Sequence, residues 1–196
     1  MGAVVAGIGI GTYLTSGFAD ADPFADCREG QVAGTGDVGG DFSLLDEAGN
    51  IVTAADVITK PTLVYFGYTF CPDVCPLDTV RNADAVDLAG EKGHDIQPLF
   101  ITVDPARDTP DALADFTGNI HDDMLGLTGS DAQIADVADA YRVYYRAHNS
   151  GDEYYLVDHS TFSYFMHPEL GFLEFFRRDV EADVMANRMA CFLDAV

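Results

Sequence analysis

"TLVYFGYTFCPDVCP", residues 62–76, sets an apolar run, two cysteines four apart and a proline in immediate succession. The run at 62–67 is continuous and not alternating, as in a strand covered on both faces at the centre of a sheet. Pro76 suits the first turn of a helix and Gly90 supplies its stop, so the segment reads as strand, loop and helix. The cysteine spacing fits neither common template. Thioredoxin-type chemistry uses a tighter C-x-x-C, and a structural zinc site wants four ligands drawn from Cys and His. If the first helical turn includes the cysteine segment, Cys71 and Cys75 share a face with Cβ atoms about 5–6 Å apart. That is close enough to clamp one soft ion, and the Cα separation falls inside the roughly 4.4–6.8 Å window for a disulfide. The positive end of the helix dipole favours the thiolate that both roles need, and Asp73 acts against it. A plain structural disulfide in an exported protein accounts for the same spacing.

The elements on either side extend the pattern. "IQPLFITV" at 96–103 is a second buried strand, and Thr109-Pro110 opens a short helix. Ser130 and Gln133 form a capping box before Ile134, Val137, Ala138 and Tyr141, an i, i+3, i+4, i+7 set. Aromatic-rich strands are expected at about 153–158, 161–166 and 172–177, and a last helix over about 180–193. Upstream, "FSLLDEAGNIVT" at 42–53 reads as a hairpin turning between Glu47 and Asn50. Strands alternating with helices, then a closing antiparallel pair and a terminal helix, make an α/β sandwich around a mixed sheet.

The folded domain is expected over residues 41–196. Residues 20–40, rich in Asp and Gly, read as a linker. Residues 1–19, "MGAVVAGIGIGTYLTSGFA", carry no charge and approach the roughly 18–20 apolar residues that cross a bilayer. Ala19-Asp20-Ala21 has the small-x-small form of a cleavage site, so the stretch is either a membrane anchor or a signal remnant. Both readings place the domain outside the cytoplasm. A formal charge of −23 with pI near 4.1 excludes nucleic acid and anionic lipid as partners and leaves a basic protein, or simply a well-solvated surface.

Two thiolates select Cu(I), and an added imidazole lets the same site accept Cu(II). Five histidines compete for that place. His94 follows Lys92-Gly93 in a turn, His121 sits among acidic residues and His148 lies in "AHNSGDE", all of which read as solvated surface positions. His159 ends one aromatic-rich strand and precedes another, where the sheet can carry it to the first helix; a core histidine bonded to a neighbour is the competing reading. Met124, Met166, Met185 and Met189 are scattered through apolar segments and read as core residues, not as a methionine copper motif.

"YFGYTFCPDVCP", "FITVDPARDTP", "GLTGS" and "YLVDHSTFSYF" resemble, in that order and spacing, the Sco/SenC family, the copper chaperones of cytochrome c oxidase assembly. The resemblance covers about residues 40–176. It implies a thioredoxin-like fold, a mixed central sheet flanked by helices with an N-terminal hairpin, and a tether to a membrane. It implies a copper site at Cys71, Cys75 and His159, with Asp158 and Asp104 supporting it by orienting the imidazole or shaping the site. The implied cargo is Cu(I) and Cu(II), and the implied partners are the copper-centre subunit of a respiratory oxidase and a copper donor protein. The implied location is the periplasmic face of a bacterial inner membrane, or the intermembrane-space face of the mitochondrial inner membrane. The same Cys71/Cys75 pair serves a different class of protein, a thiol-disulfide reductase acting on the target's cysteines. A peroxidase would need a peroxide pocket that no motif identifies.

The chain departs from the family at "HPELG", where His167 takes the place of an acidic turn residue and reads as a surface turn residue. Cys27 and Cys191 also fall outside the motifs. With Cys71 and Cys75 free to cycle, the remaining pair is expected either to staple the linker to the terminal helix or to stay as two thiols.

Overall fold

The computed structural model describes residues 22–28, 38–148 and 154–196. The expected anchor at 1–19 lies outside them, and among the described residues no helix is long and apolar enough to cross a membrane. Nine strands and five α-helices follow in order among the described residues: β1 (Ser43–Leu45), β2 (Ile51–Thr53), α1 (Ala54–Val57), β3 (Thr62–Gly67), α2 (Val74–Gly90), β4 (Gln97–Thr102), α3 (Pro110–Gly118), β5 (Leu125–Leu127), α4 (Asp131–Ala140), β6 (Tyr145–Ala147), β7 (Val157–His159), β8 (Ser163–His167), β9 (Gly171–Phe176) and α5 (Ala182–Asp194).

The main sheet has the order β5-β4-β3-β8-β9. β3, β4 and β5 run parallel, and β8 and β9 are antiparallel, so the sheet is mixed with β3 at its centre. All six residues of β3 are buried, as its unbroken apolar run requires. Alternation sends Leu63 and Tyr65 toward α2 and α5, and Val64 and Phe66 toward α4. On the first face, Leu63, Phe165, Leu173 and Phe176 pack with Ala85, Val86 and Ala89 of α2 and Met185, Met189 and Phe192 of α5. On the second, Val64, Phe66, Leu99 and Ile101 pack with Leu113, Ile134, Val137 and Tyr141. Met124, Met166, Met185 and Met189 are all buried in these layers.

The N-terminal hairpin β1-β2 turns at Asp46, whose carboxylate accepts the Ala48 and Asn50 N–H groups at 2.9 and 2.7 Å. Glu47 fixes the hairpin to the sheet, because its Oε1 accepts the Gly126 N–H at 2.7 Å and the Thr117 hydroxyl at 2.6 Å. A Cβ at Gly126 would lie 2.7 Å from that oxygen and 2.9 Å from the Leu113 Cβ, so only glycine fits in β5 here. Ser130 and Gln133 form the expected capping box on α4, and Thr109 caps α3 ahead of Pro110. β5 and β6, three residues each, were not foreseen; a strand that short has too few alternations to register as a period.

Residues 22–28 lie in the expected linker but pack on the domain. A single 3-10 turn, Ala25–Cys27, carries Cys27 into a disulfide with Cys191 of α5, Cα to Cα 5.6 Å. Phe24 packs tilted against Phe192 at 5.3 Å between ring centres, the Arg28 guanidinium lies 5.7 Å from both rings, and Arg28 donates to the Leu173 carbonyl of edge strand β9. The pairing of Cys27 with Cys191 is therefore the one present, and Cys71 and Cys75 are free.

Candidate metal centre

β3 ends at Gly67 and passes the chain to a loop, residues 68–73, that carries Cys71 to the start of α2. The helix begins at Val74, so Cys71 precedes it and the shared helical face expected for the two cysteines does not form. Instead the Cys75 N–H donates to the Cys71 sulfur at 3.3 Å. That sulfur takes the capping position that the Asp73 side chain leaves unused. Cys75 lies in the first turn, fully buried, with Pro76 next in a place where no intrahelical N–H bond is lost.

His159 arrives from the other side as the last residue of β7, held opposite Tyr145 by the β6-β7 ladder. Its Nδ1 donates to the Ser160 carbonyl at 2.9 Å, which fixes the tautomer and leaves Nε2 with a free lone pair 3.2 Å from the Cys75 sulfur. The rings of Tyr65 and Tyr68 meet the imidazole edge-on at 6.3 and 5.8 Å and set its plane. The two sulfurs and the imidazole nitrogen all lie within 4.8 Å of one another. Among the described residues this is the one group of three or more metal-binding side chains so placed.

The electrostatics make the thiols unequal. Burial acts to raise the Cys71 thiol, but hydrogen bonds from Cys75, from the Asp73 and Cys75 backbone and from Tyr68 outweigh it and bring the pKa below the ordinary 9.0. Burial, reinforced by the bond and charge of Cys71 and by the charge of Asp78, pushes Cys75 far above it. Burial also lowers His159 below the ordinary 6.5, against the opposing bond to Ser160 and the charges of Asp78 and Asp158, so the ring is neutral and ready to ligate. Tyr68 is pushed up to about 12, chiefly by burial, and stays a hydrogen-bond donor.

A family model described as SCO1/SenC matches residues 30–194. The chain belongs to the SCO1/SenC family. Protein SenC of Rhodobacter capsulatus is 52% identical over 194 residues, covering 99% of this chain and 88% of that one. The mitochondrial SCO1 homolog 1 of Arabidopsis thaliana is 41% identical over 161 residues, 82% of this chain but 48% of that protein's own length. A crystal structure of Arabidopsis thaliana ScoI with copper bound is matched with TM-score 0.78 and 39% identity, over 81% of this chain and 99% of that one. The fold is thus the thioredoxin-like α/β fold of the Sco proteins.

In this SCO1/SenC chain the expected supporting residues divide. Asp104 is buried and indirectly joined to the site: its carboxylate accepts Tyr155 O–H at 2.6 Å and the Arg107 Nε. Arg107 in turn lies 3.7, 4.9 and 5.7 Å from the rings of Tyr155, Phe70 and Tyr68, clamping the loop that holds Cys71. Asp108 ties the same loop down by accepting the Thr69 N–H and hydroxyl at 3.0 and 2.6 Å and the Thr102 hydroxyl at 2.6 Å. Asp158 does not orient the imidazole. Strand alternation turns it to the other side of β7, where its Oδ2 meets His148 Nε2 at 2.6 Å, and the carbonyl of Ser160 does the orienting.

The other histidines stay away from the centre. His94 and His121 are not solvated as expected: their side chains are 17% and 14% exposed and meet Asp194 and Asp87 at 3.3 and 3.1 Å. His167 Nδ1 accepts the Glu169 and Leu170 N–H groups in the β8-β9 turn, a turn residue as read. Tyr65, Tyr68, Arg107 and Asp78 were missed. Tyr65, Tyr68 and Arg107 lie inside the quoted motifs, but nothing in their spacing says which way they point.

Proposed function

We propose that this protein is an extracytoplasmic copper metallochaperone that delivers copper to the dinuclear centre of a cytochrome c oxidase subunit. The observation that carries the reading is the triad itself: two free sulfurs and a neutral imidazole nitrogen within 4.8 Å of one another. Two soft donors and one borderline donor suit Cu(I), and the imidazole extends the set to Cu(II). Zinc is poorly served, since no fourth protein ligand joins them among the described residues. Family membership and the copper-bound Sco relative support copper as the cargo, and the family's part in oxidase assembly supports the partner. In this reading residues 1–19 tether the domain to the membrane on its periplasmic or intermembrane-space side, 20–40 lead from the tether, and 41–196 bind copper.

A second reading rests on the unequal thiols. A Cys71 thiolate can attack a disulfide in the target, forming a mixed disulfide and expelling one target thiolate. The Cys75 sulfur, once deprotonated, then attacks Cys71, releasing the second target thiolate and leaving the Cys71–Cys75 disulfide. Two electrons pass to the target.

His159→Ala separates the two readings. Copper retention needs the imidazole, whereas disulfide exchange needs only the sulfurs and access to them. The variant is expected to lose Cu(II) binding and most Cu(I) retention, to keep a normal dithiol redox titration and thermal transition, and to fail in oxidase assembly in cells. Normal assembly with a copper-blind His159→Ala protein would overturn the chaperone in favour of the reductase. Cys71→Ser and Cys75→Ser are each expected to abolish tight Cu(I) binding in the purified protein.

A further inference from the structure

The chain has ten Lys and Arg residues against 33 Asp and Glu, and Arg177-Arg178 is its single pair of consecutive basic residues. The pair leaves the end of β9 and turns into a surface groove of about 520 Å3 lined by Thr161, Phe162, Phe175, Arg177, Arg178 and Asp179. Its floor is aromatic: Phe162 and Phe175 meet edge to face at 5.1 Å, and Phe162 remains 38% exposed. Above them Arg177 spends its fork on the exposed Asp179, at 3.1 and 3.3 Å. Arg178 Nε lies 3.8 Å from the carboxylate of the buried Asp78, beyond hydrogen-bond distance, and the arginine side chain is half-exposed.

The groove adjoins the metal centre by two routes. Thr161 and Phe162 follow His159 within three residues. Arg178 touches Asp78, which accepts the Tyr65 hydroxyl at 3.1 Å, and the Tyr65 ring stands edge-on to His159. Two forked cations over an aromatic floor match a segment that offers carboxylates and an apolar side chain together. An incoming carboxylate replaces Asp179 on Arg177 at little cost, because an exposed pair of that kind is worth under about 1 kcal/mol. The net charge of −23 works against such a segment and favours a basic partner overall, so the two adjacent arginines are what would fix where an acidic segment sits.

We infer that the Arg177–Arg178 groove docks an acidic, aromatic-bearing segment of the partner protein and so presents that partner to the Cys71, Cys75 and His159 centre. The assignment of the occupant rests on the partner reading given above. The probe is a synthetic hexapeptide of alternating glutamate and phenylalanine, titrated into the isotope-labelled full-length chain and followed by amide chemical shifts. Saturable shifts at Phe162, Phe175, Arg177 and Arg178 are expected, with binding at least about fivefold weaker for the glutamine counterpart and for Arg177→Glu. Cu(I) stoichiometry of Arg177→Glu is expected to be unchanged. Equal binding of the glutamine peptide, shifts centred elsewhere, or indifference to Arg177→Glu would overturn the site. The soluble copper-centre domain of the oxidase subunit is expected to displace the peptide, and failure to do so would overturn the assignment of the occupant. Because none of these measurements requires bound metal, loss of the copper reading through His159→Ala would stand apart from loss of the groove.

Discussion

Cys71 and Cys75 differ because the hydrogen bonds at the start of α2 converge on one sulfur. The Cys75 N–H, with the Asp73 backbone and Tyr68, stabilises a Cys71 thiolate, while Cys75 is buried beside that charge. A small alkylating agent is therefore expected to modify Cys71 first, with a half-maximal rate below pH 9.0, and to leave Cys75 untouched at neutral pH. Cys75→Ala, which removes the Cys75 thiol's hydrogen bond to the Cys71 sulfur and keeps the backbone N–H, should move the Cys71 profile upward. Equal labelling of both sulfurs at neutral pH in peptide maps would refute the asymmetry. His159 carries a second pH effect. Its folded pKa lies below the unfolded 6.5, so in the interval between them the unfolded chain binds a proton that the folded chain does not. Stability from this group is full above pH 6.5 and falls as pH drops toward the folded value. Denaturant midpoints of His159→Gln should lack that decline, and an unchanged acid limb would show that other groups set it.

At the scale of elements, α2 explains why parts of the site could be read from sequence and parts could not. Its C-terminal half buries Ala85, Val86 and Ala89, an ordinary packing face, and the chain turns away after Gly90 at Gly93, whose φ of +94° is left-handed. Its N-terminal half buries Asp78, Thr79 and Asn82, each held by a partner: Tyr65, the Cys75 carbonyl and Ser163. A polar layer of this kind weakens the apolar period, and only the fold shows what the polar groups bond to. β3, β4, the closing β8-β9 pair and the capped α4 were legible because period, length and caps agreed there. The clustered side chains of Cys71, Cys75 and His159 could be singled out in the sequence because Cys and His carry their chemistry in their identity. Asp158 was misplaced because adjacency in sequence means opposite faces in a strand. The α4 cap offers a direct test. Ser130→Ala leaves the Gln133 N–H without its acceptor and should cost about 1 kcal/mol, or about 2–4 °C in the thermal midpoint of a domain this size. No shift in a calorimetric scan would mean that solvent replaces the cap.

For the whole molecule, the excess of 33 acidic over ten basic side chains is a field against compaction. Raising sodium chloride from about 10 mM to about 500 mM shortens the screening length from about 30 Å to under 8 Å and should raise the thermal midpoint by several degrees. A falling midpoint would show that specific ion pairs such as Lys60–Asp95 outweigh the general repulsion. Against that repulsion stands the bond between Cys27 and Cys191, which spans 164 positions and encloses every strand among the described residues. Topologically residues 27–191 form a closed ring. Opening the backbone once, at any exposed turn inside the ring, leaves a single covalent body whose pieces cannot diffuse apart. Its dismantling requires two unlike chemical events, a hydrolysis and a reduction.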